Sequence, residues 1–161
     1  MTWSADAARL LLPGEDMKTS ILFFILALAN IAAAQQIETI NPQGMTQPKS
    51  YSHLVKYGDL MFIAGQVALD GDGNVIGEGD MAAQFRQVLE NLKSILQSEG
   101  ADFSDIVKIT IFTTDIEKYI EAAPLRSEYF GEHAPAGTLV QIERLARPVF
   151  LVEVEAIAIR P

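Results

Sequence analysis

Between Asp80 and Glu99, apolar residues return at helical spacing. Met81, Phe85, Val88, Leu92 and Ile95 form one stripe, flanked by Ala82, Leu89 and Leu96. That period predicts an amphipathic helix with its stripe turned to a core. Asp80 suits the N-cap and Gly100 the position just past the end. The segment from Val149 to Ile159, "VFLVEVEAIAI", has period two and predicts a strand. "DIVKITIFTTD" (Asp105 to Asp115) alternates in the same way. Ser52 to Tyr57 and Leu60 to Leu69 predict two strands joined by a tight turn at Gly58-Asp59, the second apolar on both faces and so covered from two sides. Glu117 to Phe130 predicts a weaker helix that Pro124 interrupts or kinks. Gly137 to Leu145 predicts the penultimate strand, with a turn around Arg147-Pro148. The order strand, strand, helix, strand, helix, strand, strand predicts an α/β sandwich with both helices on one face of a mixed sheet.

The two faces of the last strand differ. Phe150, Val152, Val154, Ala156 and Ala158 are wholly apolar and belong against the helices. Val149, Leu151, Glu153, Glu155, Ile157 and Ile159 set two carboxylates among aliphatic side chains. Two helices cannot cover both faces, so this second face is expected to meet another copy of the chain. A carboxylate at such an interface is partly desolvated, its pKa raised, and able to hold or polarise a water. The plainer reading is a structural ion pair: if the last two strands form a hairpin, Arg144 falls near Glu153. Glu153 is the stronger functional candidate of the two acids.

Composition narrows the partners. A length of 161 residues suits one domain, and 49% apolar content supplies a core. The net charge of -9 argues against a nucleic-acid partner. The absence of cysteine excludes disulfides, thiolate chemistry, cysteine zinc sites and a lipoprotein anchor.

The N-terminal region reads as an address rather than as fold. "MKTSILFFILALANIAAAQQ" (Met17 to Gln36) has a basic flank at Lys18, an apolar run from Ile21 to Ala29, and small residues at Ala32-Ala33-Ala34. This is the plan of a secretory signal peptide. The apolar run stops short of the roughly 20 residues that a spanning helix needs. Translation is expected to start at Met17, with residues 1–16 an upstream extension. Cleavage after Ala34 removes 34 of the 161 residues and leaves 127. The mature protein is then expected outside the cytoplasm, periplasmic or secreted, and free of the membrane. Residues 35–48, which hold prolines and a glycine without periodicity, read as an arm before a domain at 49–161.

Several motifs carry no chemistry. Asp70, Asp72 and Asn74 alternate as calcium ligands do, but Val75 and Met81 stand where an EF-hand needs Gly and Glu. A turn rich in Asp and Gly explains that loop better. His53 shares a strand face with Tyr51, and His133 lies in a distant loop. Without a carboxylate cluster the two histidines do not make a metal site. There is no nucleophile elbow, and no glycine loop sits between strand and helix as a phosphate site requires.

The order of "YSHLVKYGDLMFIAGQVALD", "QFRQVLENLKSILQSEGADFSDIVKITIFTTD", "PAGTLVQIERL" and "LVEVEAIAI" resembles the reactive-intermediate deaminase (RidA/YjgF) family, over nearly all of Pro48 to Arg160. The resemblance implies a chorismate-mutase-like fold and a homotrimer with small-molecule clefts between subunits. It implies hydrolysis of enamines and imines to a carbonyl product and ammonia, with no metal or organic cofactor. It implies that Glu153 positions water, that Tyr51 closes the cleft, and that Gly65 and Gln66 add contacts. An Arg after the Pro-Ala turn clamps the substrate carboxylate in such proteins, beside the positions of Thr138 and Leu139. That Arg falls on Gly137. Ala64 stands where a Ser often precedes the Gly-Gln pair, and the usual Asn of the second helix is replaced near Ala123.

A bidentate Arg-carboxylate pair is charge-assisted. Its loss costs on the order of 1.5 to 3 kcal/mol, or about ten- to a hundredfold in binding. The sequence therefore leaves two main expectations. One is an exported imine or enamine hydrolase with altered substrate choice, with Arg126 or Arg144 as possible sources of charge. The other is a trimer of the same fold that binds a small molecule without turnover. A third, a ribonuclease, fits poorly with the acidic charge and the lack of a catalytic histidine pair.

Overall fold

The strand made last lies in the middle of the sheet. The computed structural model describes residues 36–161, so the expected leader and its cleavage point lie outside the described residues. Six strands appear: β1 (Ile37–Ile40), β2 (Leu54–Tyr57), β3 (Leu60–Gln66), β4 (Ile106–Thr113), β5 (Ala136–Gln141) and β6 (Val152–Ile159). They are ordered β1-β2-β3-β6-β4-β5. Every pairing is antiparallel except β4 with β5.

The arm expected at 35–48 contributes to this sheet. Ile37–Ile40 pairs with β2, Glu38 standing opposite Lys56. Lys56 reaches both Glu38 (3.1 Å) and Glu99 (2.6 Å). Those ion pairs and the backbone ladder make a strand of a segment whose own pattern does not show one.

The long helix α1 (Met81–Ser98) forms as its periodicity predicts. The Asp80 side chain accepts from Ala83 N, and the five stripe residues are buried. Gly100 follows with φ of 75°, a left-handed conformation that glycine adopts without strain. Pro124 divides the second helical region. α2 (Ile116–Ala122) gives way to a 3₁₀ turn at Ala123–Arg126, then to α3 (Ser127–Phe130). This helical crossover carries the chain from β4 to its parallel neighbour β5, which a tight hairpin could not do. The core lies between α1 and the inner face of the sheet, where Val152, Val154, Ala156 and Ala158 are buried as the alternation requires.

The last two strands do not form a hairpin. β5 pairs with β4, while β6 pairs with β3 and β4 and fills the gap between them. Arg144 consequently sits in the exposed connection between β5 and β6. It makes no ion pair with Glu153 among the described residues. Gln84, fully buried on α1, fixes this connection: its Nε2 donates to Val149 O and its Oε1 accepts from Leu151 N, both at 2.8 Å.

The outer sheet face is open. Leu60, Phe62 and Ile159 are exposed on it, and Phe62 stands directly opposite Ile157. β3 ends earlier than its apolar run suggests. Its register against β6 shifts between Ile63 and Gln66, and the chain then turns through a small bridge between Leu69 and Val75.

Candidate functional site

Glu153 lies on the outer face of β6, opposite Phe112 of β4. Burial pushes its carboxyl pKa above the usual range, and the charge of Glu155 on the same face adds to the rise. Gly65 makes room for it. A Cβ built on Gly65 would overlap Glu153 Oε1. The register shift in β3 sets Gly65 against this carboxyl, so a bulge and a missing side chain together shape its surroundings. A carboxyl with raised affinity for protons is better placed to take one from a bound water and return it.

Tyr51, Gly65 and Gln66 border one cavity of about 200 Å³, with the polar side of α1 as its opposite wall. Tyr51 is half exposed and stands edge-on to His53, ring centroids 5.8 Å apart. His53 is buried and ties three segments together. Its backbone N–H donates to Asn41 Oδ1 (2.8 Å), its Nε2 to Thr46 O (2.8 Å), and its Nδ1 accepts from Gln66 Nε2 (3.3 Å). The sequence marked His53 only as sharing a face with Tyr51. Its place between the arm and the Gly-Gln pair depends on contacts across loops and was not legible there.

Gly137, Thr138 and Leu139 lie elsewhere. They sit on β5, the far edge strand, with β4 between them and β6. Val140 is the β5 residue level with Glu153; two strand intervals of about 4.8 Å and an offset of three residues along β5 put Gly137 roughly 14 Å from Glu153. One chain sets Gly65 against Glu153 and lines the cavity with Tyr51, Gly65 and Gln66; Glu153 does not line that cavity, and the β5 residues lie apart from both. Gly137 is the second residue of β5 and not the turn residue it resembles in sequence. Its φ is not positive, and an added Cβ would meet only ordinary contacts at 3.9 Å. Its neighbour Thr138 accepts from Lys108 Nζ at 2.9 Å. That ammonium also donates to Ile109 O and Thr110 Oγ1, so its donors are already engaged on the outer face.

Arg126 does not replace the absent guanidinium at this site. It lies 5.0 Å from the Phe130 ring centroid, and its Nε is buried without a partner. Among the described residues, no group of three or more His, Asp or Glu side chains could hold a metal ion.

The sheet order, the helices on one face and the glycine-lined carboxyl define an α/β sandwich of the reactive-intermediate deaminase type. The family model described as Endoribonuclease L-PSP matches residues 43–160, and the chain belongs to that family, which includes the RidA and RutC proteins. A RutC family protein of Pyrococcus abyssi is 41% identical over 108 residues, covering 67% of this chain and 84% of that one. The 2-iminobutanoate/2-iminopropanoate deaminase of Salmonella typhimurium is 35% identical over 113 residues, covering 68% of this chain and 87% of that one. The crystal structure of yeast YEO7 superposes with a TM-score of 0.73 at 29% identity, covering 78% of this chain and 100% of that one.

Proposed function

We propose that the protein hydrolyses reactive imines or enamines to a carbonyl product and ammonia, with a substrate choice altered by Gly137. The observation that carries this reading is the half-buried Glu153 carboxyl, with its raised pKa, set against Gly65. Water held by Glu153 adds to the C=N carbon while the carboxylate takes its proton. The carboxyl gives that proton to the carbinolamine nitrogen, the C–N bond breaks as the hydroxyl passes its proton back to the carboxylate, and ammonia leaves with the carbonyl product. Relatives named as deaminases of imino acids and of aminoacrylate support this chemistry.

Homotrimeric assembly is part of the proposal. A second copy over the outer face would cover Leu60, Phe62, Ile157 and Ile159, and would offer the β5 residues a route to another chain's Glu153. Export after cleavage at Ala34 is likewise proposed from the leader.

The test is ammonia release from freshly generated imines, with and without a carboxylate, beside Glu153→Gln. Turnover that the variant abolishes supports the enzyme. No turnover on any imine, with a small molecule bound in the cleft, would give precedence to a second reading, a trimeric binding protein. The loss of the clamp at Gly137 is the observation that favours that alternative.

A further inference from the structure

Among the described residues, Arg126 alone buries a side-chain polar atom without a partner, its Nε. It also makes no ion pair among them. The chain does not lack acids nearby: Glu117, Glu121, Glu128 and Glu132 lie within nine residues of it. Their spacing keeps them away. On a helical segment a side chain meets those three and four places off. Around Arg126 these are Ala122, Ala123, Tyr129 and Phe130. Glu128 is taken by Arg86, at 2.7 and 3.1 Å.

The guanidinium is nonetheless held in place. It lies over the Phe130 ring, and Phe130 packs edge-on against Phe103, ring centroids 4.8 Å apart. The backbone beneath it is set by the break at Pro124, whose carbonyl accepts from Ser127 Oγ at 2.8 Å. Tyr119, buried and edge-on to Phe85 of α1, stands near enough for the Arg126 charge to act on its phenol. Burial raises that phenol's pKa more than the arginine lowers it, so the hydroxyl keeps its proton at neutral pH and offers the guanidinium no counter-charge. A half-buried cation with a dry N–H and no counter-charge is destabilising, and the cost calls for something that completes it.

We propose that Arg126 anchors a site for a small carboxylate, whose oxygens meet the two Nη groups at the end of the fork. Only Nε is walled off, so those Nη groups are the ones a ligand can reach. Ala122 and Ala123 put nothing larger than methyl groups on the turn before it. The anchor belongs to the helix layer, with Tyr119 and Phe130 in the core beneath it, whereas Glu153 of the same chain lies on the outer sheet face. The inference goes beyond the hydrolase reading and does not depend on it.

The test is an NMR titration of the full chain at neutral pH and constant ionic strength, read on the arginine Nε–H signals. The probes are propionate, 1-propanol and propylammonium. The signal that Arg126→Met removes belongs to Arg126, and its burial makes it exchange slowly with water. Propionate shifts it saturably, and the other two bind at least about tenfold more weakly. Propionate also raises the melting temperature of the wild type and leaves that of Arg126→Met unchanged. Without ligand, Arg126→Met melts at least as high as the wild type, because methionine keeps the contact with Phe130 and removes an uncompensated charge. A lower melting temperature makes Arg126 a structural residue and overturns the inference. So does the absence of a saturable propionate shift, or an equal shift with 1-propanol. A loss of particle mass in Arg126→Met at equal concentration assigns the guanidinium to a carboxylate of a second copy, and overturns it as well. Glu153→Gln separates this site from the proposed hydrolase: propionate binding persists there while imine turnover is lost. Propionate binding lost together with turnover places the ligand at Glu153 and overturns the inference.

Discussion

Gly65 has no side chain where Glu153 carries its carboxyl: a β-carbon on the first would overlap Oε1 of the second. The two residues belong to adjacent strands and are brought into contact by the register shift in β3. Gly65→Ala should therefore displace the carboxyl. Overpacking of this kind costs about 1–3 kcal/mol. We expect imine turnover to fall about tenfold or more in a variant that still folds. Steady-state kinetics with a thermal melt checks this, and an alanine variant with full kcat would contradict it.

The raised pKa of Glu153 gives a signed stability effect. Folding disfavours the charged carboxylate. The group's contribution is therefore fully present below its unfolded pKa and is lost as pH rises through the higher folded value. Glu153→Gln removes that loss. The variant should melt higher than wild type at neutral pH, and the difference should disappear below about pH 4, where the unfolded carboxyl is also protonated. Equal melting temperatures at neutral pH would show that the carboxyl is not disfavoured by its site.

Gly137→Arg tests the missing clamp. The backbone needs no positive φ there and the added Cβ has room, so the variant should melt as wild type does. Activity on 2-iminopropionate-type substrates should rise about tenfold, the effect of one charged contact. Imines without a carboxylate should show no gain. A folded variant without any rise on the carboxylate substrate would give the binding-protein reading precedence.

Gln84→Leu should destabilise the fold. It leaves Val149 O and Leu151 N without the partner that now serves both. Two backbone groups losing their bonds should cost about 2–4 kcal/mol. Urea unfolding with an unchanged slope provides the measurement.

Assembly has its own test. Light scattering on the chain from Gln35 to Pro161 should give three chains per particle. Phe62→Glu, on the open face opposite Ile157, should shift the mass toward one chain. A wild-type protein that stays monomeric at micromolar concentration would remove the trimer from the proposal.

Much of the architecture was legible because it is local. The α1 stripe, its Asp80 cap and the two faces of β6 are periodic signals that packing preserves. Pro124 announced a break that a ring without an N–H imposes. The strand order was hidden because pairing depends on partners distant in sequence. Nothing in β5 or β6 says that one runs beside β4 in parallel and the other enters between β3 and β4. β1 was hidden too, since an exposed edge strand of four residues has no buried face to impose alternation. At the site, Glu153 showed through its aliphatic neighbours. Its contact with Gly65 depends on a bulge, and the fixed amide of Gln66 depends on two loops; neither leaves a sequence pattern.

The central place of β6 has a consequence for how the molecule is made. On a ribosome the chain emerges N-terminus first, so β1, β2 and β3 are available early, and β4 with β5 later. No backbone pairing joins these two groups until the final strand arrives. Residues 152–159 act as a keystone, and the sheet can close only when synthesis is nearly over. Until then the edges of β3 and β4 are unpaired and open to mispairing. A chain cut short before Val152 would therefore be left with two separate half-sheets, one of them carrying Gly65 with no Glu153 to meet it.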